Sequence, residues 1–182
     1  MNLKNFPIDK SWTLFLDRDG VINEKRENDY VKSWIEFKFI DGSVKAISKL
    51  SKIFGRILIV TNQQGIGKGL YTEIELEQIH EKMKNEISLS GGKIDKIYFA
   101  PFLESENNPC RKPGTGMAIA AKNDFPEINF QKSIIVGDSP SDMEFGKNLG
   151  MIKIYISNQK SNHQLQLADF NFRSLIDFAD NI

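Results

Sequence analysis

The stretch Leu14-Phe15-Leu16-Asp17-Arg18-Asp19-Gly20-Val21-Ile22 constrains this chain more than any other. A short apolar run of strand length stops abruptly at two carboxylates spaced two residues apart. Gly20 follows, a residue that lets the backbone turn sharply and approach a ligand. With a strand's period of two, Asp17 and Asp19 point the same way and Arg18 faces elsewhere. Converging carboxylates repel one another unless a cation or a shared proton lies between them. An isolated Asp-x-Asp is most often an acidic turn after a strand. Three later stretches change that reading.

Apolar runs of strand length recur at Thr13–Leu16, Ile57–Val60, Ile97–Phe99, Ile134–Val136 and Ile152–Ile156. They are rich in Ile and Val and mostly continuous, as strands buried on both faces are. Between them lie helical patterns. Val44, Ile47, Leu50 and Phe54 keep one face; Leu76, Ile79, Met83 and Ile87 keep another, opened by Thr72-x-x-Glu75 and closed by Gly91-Gly92. A third helix is expected around Met117–Asn123, before Phe125-Pro126. A fourth starts with Ser139 as N-cap and Pro140 at its first position, and stops at Gly150. Phe170-Asn171-Phe172 is expected as a short edge strand, followed by a terminal helix near Ser174–Ala179.

Strands alternating with helices predict an α/β fold, a Rossmann-like doubly wound parallel sheet joined by right-handed crossovers. Nothing resembles a linker, repeat or low-complexity tract, so residues 1–182 are expected to form a single domain without a large cap. Two connections are too long for simple loops. Val21 to Asp41 carries Tyr30, Trp34, Phe37 and Phe39 and is expected to fold as a small hairpin or flap over the first strand's end. Ala100 to Thr115 is the other, with three prolines and little periodicity.

In an open α/β sheet, ligands bind beyond the carboxyl ends of the strands. After the first strand come Asp17 and Asp19; after the second, Thr61-Asn62-Gln63-Gln64-Gly65-Ile66-Gly67-Lys68-Gly69. The third leads into Arg111-Lys112-Pro113, and the fourth ends in Gly137-Asp138-Ser139-Pro140-Ser141-Asp142. Each set alone is weak: Thr61-Asn62 suits a turn, Arg111-Lys112 a solvated basic pair, and Ser139 and Asp142 a helix cap. The glycine-rich stretch has the spacing neither of a Walker A loop nor of a dinucleotide site. Together the sets are complementary. Carboxylates to hold a divalent cation, hydroxyls and amides to bond oxygens, and a fixed ammonium describe a site for a phosphoryl group and Mg2+.

Charge and cysteine content narrow the partners. Lys+Arg and Asp+Glu both number 24, so no global field favours nucleic acid or an anionic membrane. Cys110 is the single cysteine, which excludes an internal disulfide and suits a reducing compartment. Met1 to Lys10 lacks the apolar core of a secretory leader, and no apolar run approaches membrane-spanning length. A cytoplasmic protein acting on a small molecule, with neither nucleic-acid nor membrane partner, is expected.

Asp17-Arg18-Asp19-Gly20, Val60-Thr61-Asn62-Gln63, Arg111-Lys112-Pro113 and Val136-Gly137-Asp138-x-x-x-Asp142-Met143 resemble the four motifs of the haloacid dehalogenase-like phosphohydrolases. The match is closest to the subgroup holding D-glycero-D-manno-heptose 1,7-bisphosphate phosphatase and histidinol-phosphate phosphatase. Asp29-Tyr30-Val31 and Phe37-x-Phe39-Ile40-Asp41-Gly42 also look like that subgroup, and the resemblance runs from about Leu14 to Ile156.

The resemblance implies roles. Asp17 attacks phosphorus and becomes an aspartyl-phosphate, and Asp19 protonates the departing alkoxide and then activates water. Mg2+ is held by Asp17, Asp138 and the Asp19 main-chain carbonyl, while Thr61 and Lys112 hold phosphate oxygens. Asp142 orients Lys112 or a metal-bound water. Tyr30, Asn62, Gln63, Gln64 and Arg111 are expected to contact substrate, with Lys68 and Arg111 free to engage a second anionic group. The subgroup commonly carries a structural zinc bound as Cys-x-His and Cys-x-Cys before Arg-Lys-Pro. Here that stretch reads Ala100-Pro101-Phe102 and Asn108-Pro109-Cys110, with His80 and His163 far away in sequence. A tetrahedral site needs four ligands, so zinc is expected to be absent and the loop to be held by packing.

The expected function is therefore Mg2+-dependent hydrolysis of a phosphate monoester, most consistent with heptose 1,7-bisphosphate and next with histidinol phosphate. Thr61–Gly69 and Arg111–Pro113 also resemble polynucleotide 3′-phosphatases, but a protein tracking a phosphate backbone should be basic. A non-catalytic phosphosugar-binding protein on the same fold is the reading from a different class. The presence of every acidic motif residue weighs against it.

Overall fold

The computed structural model describes residues 3–157 and 167–182. His163 and the rest of residues 158–166 lie outside them. Six strands form one sheet: β1 (Thr13–Leu16), β2 (Arg56–Asn62), β3 (Lys96–Ala100), β4 (Ser133–Gly137), β5 (Ile152–Ile156) and β6 (Phe170–Phe172). Their order is β3-β2-β1-β4-β5-β6, and every neighbouring pair is parallel. From β1 the chain winds outward to β3, then returns to the other side of β1 for β4. Connections leaving β1 and β4 diverge there, opening a crevice at the carboxyl ends of the two strands.

The strand period of two sorts the core into two layers. Leu14, Leu16, Ile57, Ile59, Ile134 and Val136 face one layer. There they meet α1 (Ser43–Ile53) through Ile47 and Leu50, α3 (Glu73–Leu89) through Ile79 and Met83, and α6 (Leu175–Asn181) through Phe178. Phe15, Leu58, Val60 and Ile135 face the other, against Ala118 and Ala121 of α4 (Gly116–Asp124) and Phe145 of α5 (Pro140–Leu149). Helices cover both faces, as the doubly wound reading expects.

The helix signals of the sequence are realised as built caps. Thr72 Oγ1 accepts from Glu75 N at 3.2 Å, and Glu75 Oε2 accepts from Thr72 N at 2.8 Å. Gly150, at φ +71°, ends α5 in the left-handed conformation glycine favours. β2 runs past its apolar residues because Thr61 and Asn62 pair with Phe99 and Ala100 of β3. Two polar site residues are thereby fixed on a strand rather than in a loop. The next residues form a short helix, α2 (Gln64–Gly67), where the sequence suggested only a glycine-rich loop.

The segment between β1 and α1 is a flap, though barely a hairpin. Its antiparallel pairing is the single bridge Asn23–Phe39, flanked by Glu24 N to Lys38 O at 2.8 Å and Ile40 N to Ile22 O at 2.9 Å. A 3-10 turn at Trp34–Glu36 interrupts it. Aromatic packing takes over, with Trp34 stacked on Phe37 at 5.0 Å between centroids and Phe39 edge-on to Phe37 at 5.0 Å. No helix among the described residues is long and apolar enough to cross a membrane.

Candidate active site

β1 ends at Leu16, and Asp17 N donates to Val136 O at 2.9 Å, which seats the first carboxylate against the end of β4. Asp17 Oδ1 accepts from Arg18 N at 2.8 Å and lies 3.0 Å from Lys112 Nζ. The lysine is buried with its ammonium fully engaged, donating also to Asp142 Oδ1 at 2.5 Å and Val60 O at 2.7 Å. Asp142 Oδ2 in turn accepts from Ser139 N at 3.1 Å and Ser139 Oγ at 2.6 Å at the start of α5. Asp142 thus fixes the ammonium and caps the helix together, both of which the sequence raised.

Burial drives the Asp17 carboxyl up to about 7. Lys112 opposes that shift, while Asp142, Asp138 and Asp19 reinforce it. Lys112 is raised despite its burial, because Asp142 and Asp17 favour its charged form. Asp138 is raised by burial and drawn back by Lys25, whose ammonium stands 3.0 Å from Asp138 Oδ2.

Asp17, Asp138 and Asp142 each offer a carboxylate oxygen, all within 4.8 Å of one another. Hard oxygen donors that repel one another and draw in an ammonium suit a small divalent cation. Asp142 is committed to the buried Lys112 and to the Ser139 cap, whereas Asp138 is held, among the described residues, only by the exposed Lys25, so Asp17 and Asp138 are the available donors. The backbone leaves room beside them only because residue 20 is glycine: at φ +89°, a Cβ there would stand 2.2 Å from Asp138 Oδ2.

Asp19 stands outside this carboxylate cluster, so a contribution from it to a cation is confined to its main chain. Its side chain is clamped from three sides. Arg18 Nη2 lies 3.0 and 2.9 Å from Asp19 Oδ1 and Oδ2, and Nε 3.2 Å from Oδ2. Asn23 Nδ2 donates to Oδ1 and Gln63 Nε2 to Oδ2, each at 2.9 Å. Burial acts to raise the Asp19 carboxyl, but the Arg18 charge and these hydrogen bonds outweigh it and hold the group below the usual carboxylate range. Arg18 does not face elsewhere, as strand alternation alone suggests: the chain leaves strand geometry after Leu16, and the guanidinium folds back onto its neighbour.

Thr61, Asn62, Tyr30, Gln64, Arg111 and Lys112 border a cleft of about 240 Å3 together with Asp17 and Asp19. Their free valences differ from the sequence expectation. Gln63 is buried and does not border the cleft: its Nε2 donates to Asp19 and to Thr61 Oγ1, and its Oε1 accepts from Tyr71 at 2.6 Å. It supports the site rather than meeting a substrate, because a buried amide with three partners has little left to offer. The Asn62 amide pairs twice with the Lys112 main chain, at 2.9 and 3.0 Å, and so pins the Arg111-Lys112-Pro113 turn to the end of β2. Tyr30 OH accepts from Gln64 Nε2 and Lys68 Nζ, each at 3.0 Å, tying the flap to α2. Arg111 Nη1 is buried without a hydrogen-bond partner.

Lys25 and Ser141 also border the cleft; the sequence placed Ser141 in the run after the fourth strand and Lys25 in the flap, and gave neither a role of its own. Lys25 lies in an unpatterned flap, and only the fold brings it to Asp138. In the 100–115 loop, Phe102 and Cys110 pack against the second core layer. A larger cleft of about 590 Å3 between the flap and α1 is lined by Phe39, Val44 and Lys45 and has no part in this chemistry.

Residues 9–180 match the family model described as polynucleotide kinase 3 phosphatase. A D-glycero-alpha-D-manno-heptose-1,7-bisphosphate 7-phosphatase of Mycobacterium tuberculosis is 36% identical over 92% of this chain and 90% of its own length. The enzyme of that name from Campylobacter jejuni is 35% identical over 93% of this chain and 96% of its own. The crystal structure of D,D-heptose 1,7-bisphosphate phosphatase from B. bronchiseptica, complexed with magnesium and phosphate, superposes with a TM-score of 0.83 at 27% identity, covering 93% of this chain and 96% of that one.

Proposed function

We propose, from the premise that the chain belongs to the polynucleotide kinase 3 phosphatase family, that it removes the 7-phosphate of D-glycero-D-manno-heptose 1,7-bisphosphate. It is a phosphoric monoester hydrolase on a haloacid dehalogenase-like fold. The observation that carries the substrate reading is Arg111 Nη1, a buried donor without a partner on the border of the catalytic cleft. An unpaired buried donor costs stability until an anion meets it, and a bisphosphate brings a second anion where a monophosphate does not.

Asp17 acts as the nucleophile. Its Oδ1 is held by Arg18 N and Lys112, leaving the other oxygen to form a bond to phosphorus as the ester P–O bond breaks. Asp19, ionised in the free site, takes up a proton from solvent as the anionic phosphate enters beside it and, as the acid, gives that proton to the departing alkoxide. As the carboxylate it then takes a proton from water, whose oxygen attacks phosphorus and releases Asp17. Thr61 Oγ1 accepts from Gln63, so its own proton is free to donate to a phosphate oxygen. Lys112, fixed by three acceptors, offsets the charge on the transferring group. Mg2+ would be held by Asp17, Asp138 and the Asp19 main chain, and when bound it neutralises the charge that keeps two anions apart.

The loop sequence supports the absence of structural zinc, and the balanced charge supports a small substrate over nucleic acid. A single domain in a reducing cytoplasm completes the reading, supported by one sheet and one cysteine. Phosphate release from heptose 1,7-bisphosphate and histidinol phosphate tests it. A higher kcat/KM on the bisphosphate, with Arg111→Ala losing more on that substrate, is expected. Equal or reversed values would defeat the substrate assignment.

A further inference from the structure

We propose that His80, on α3 and outside the cleft, is a positioning residue for Asp19 that acts through Arg18. This rests on the proposed role of Asp19 in proton transfer. Arg18 is fully buried between the two. Its Nε and Nη2 face the Asp19 carboxylate, and its Nη1 lies 3.2 Å from His80 Nε2. A guanidinium can only donate, so His80 Nε2 is the acceptor and the imidazole is neutral. The protein holds it so: burial, then the Arg18 charge, pushes the His80 imidazole down to about 3.

The geometry makes a lever of the guanidinium. Five N–H groups in one rigid plane cannot be re-aimed independently. Among the described residues, the hydrogen bonds of Nη1 go to His80 and those of Nε and Nη2 to Asp19. Fixing the far corner of the plane therefore fixes the edge that Asp19 rests on. Gln63, held at its other end by Tyr71, fixes the same carboxylate from a second direction. With an apolar residue at 80, the buried Nη1 would lose its acceptor, and the fork would turn toward the oxygens that remain, which are those of Asp19.

Positioning of a proton donor matters only where the leaving group needs a proton. An alkoxide leaving a sugar phosphate does; p-nitrophenolate does not. In both cases kcat/KM reports the steps through phosphorylation of Asp17, in which the leaving group departs. His80→Leu is expected to lose about tenfold or more in kcat/KM on the sugar phosphate and less than about threefold on p-nitrophenyl phosphate, within the range general acid catalysis supplies. His80→Gln, whose amide oxygen can accept from Arg18, is expected to stay near wild type on both. Equal losses on both esters, or on neither, overturn the proposal.

Asp19→Asn, assayed beside it, separates the premise from the inference. If Asp19→Asn is leaving-group-selective and His80→Leu is not, His80 positions nothing and the Asp19 reading stands. If Asp19→Asn loses equally on both esters, the Asp19 reading falls and the inference falls with it. Should His80→Leu not fold, Arg18→Lys carries the test. A single ammonium cannot span His80 and both Asp19 oxygens, so the same selective loss is expected, and an unselective one overturns the proposal.

Discussion

Lys112 Nζ lies 3.0 Å from Asp17 Oδ1, and it is the buried ammonium that lets three acidic residues crowd the end of one sheet. The two residues are 95 positions apart in sequence and meet because Asn62 pins the Lys112 main chain to β2, beside β1. In the proposed mechanism, the pair is the nucleophile and the charge that steadies it.

Removing that charge should be costly in a particular way. Lys112→Met leaves Asp17 and Asp142 buried with no counter-charge, a change expected to cost about 3–5 kcal/mol of stability. Turnover should fall by about a hundredfold or more. Mg2+ should then raise the melting temperature of Lys112→Met more than that of wild type, since it supplies the missing cation. Equal Mg2+ shifts in the two proteins would contradict the pairing.

Mg2+ binding should depend on pH through the same carboxylate. With the Asp17 group at about 7, well above an ordinary aspartate, the metal-free site binds a proton that a cation must displace. The metal-free protein therefore loses stability as pH rises from the ordinary aspartate range toward 7, where the unfolded chain has released this proton and the folded one still holds it, and Mg2+ offsets that loss. Below about pH 7 the apparent Mg2+ affinity should fall by up to about tenfold per pH unit. Calorimetric titration from pH 5.5 to 8.5 checks this, and a flat profile would contradict it.

His80 predicts a second pH dependence, of opposite sign. Its imidazole titrates near 3 in the folded chain and near 6.5 when free, so the unfolded state takes up the proton first. Stability should fall as pH drops from 6.5 toward 3, by at most about 1.4 kcal/mol per pH unit from this residue. Glu77, Glu81, Lys84 and Asp95 line the same groove. Urea unfolding of His80→Gln between pH 6.5 and 4.5 should show a shallower decline than wild type. Parallel curves would place the acid sensitivity elsewhere.

The altered loop carries a prediction of its own. Between Ala100 and Cys110 this chain has one cysteine and no histidine, too few ligands for a tetrahedral zinc, and Phe102 and Cys110 pack against the second core layer. Purified protein should hold no stoichiometric zinc, and chelators should abolish turnover while leaving the melting transition in place. One zinc per chain by elemental analysis would overturn this.

What the sequence disclosed and what it withheld divide along physical lines. β1 and its two aspartates were legible because strand period and a sudden change of polarity are local signals. The helix α5 was legible because Ser139-Pro140 and Gly150 are caps chosen by backbone geometry. The clamp on Asp19 was not, since it joins Arg18 to His80 across 62 positions and Gln63 to Tyr71 from a following helix start. Gln63 illustrates the difference well: its type and place in the motif were plain, but its burial, which turns it inward to Asp19, is a tertiary fact. The flap was legible as a flap but not in its detail: Phe37 and Phe39 alternate like a strand, while aromatic packing against Trp34 holds them with one bridge.

The central claim is that Asp17 carries the phosphoryl group during turnover, and trapping it is the most direct test. Enzyme turning over with Mg2+ and heptose 1,7-bisphosphate would be quenched with sodium borohydride, which reduces an acyl phosphate to the alcohol, and then mapped by peptide mass spectrometry. Homoserine is predicted at position 17 in substrate-treated wild type, and none in Asp17→Asn or without substrate. An unmodified Asp17 under active turnover, or homoserine at Asp19 instead, would contradict it.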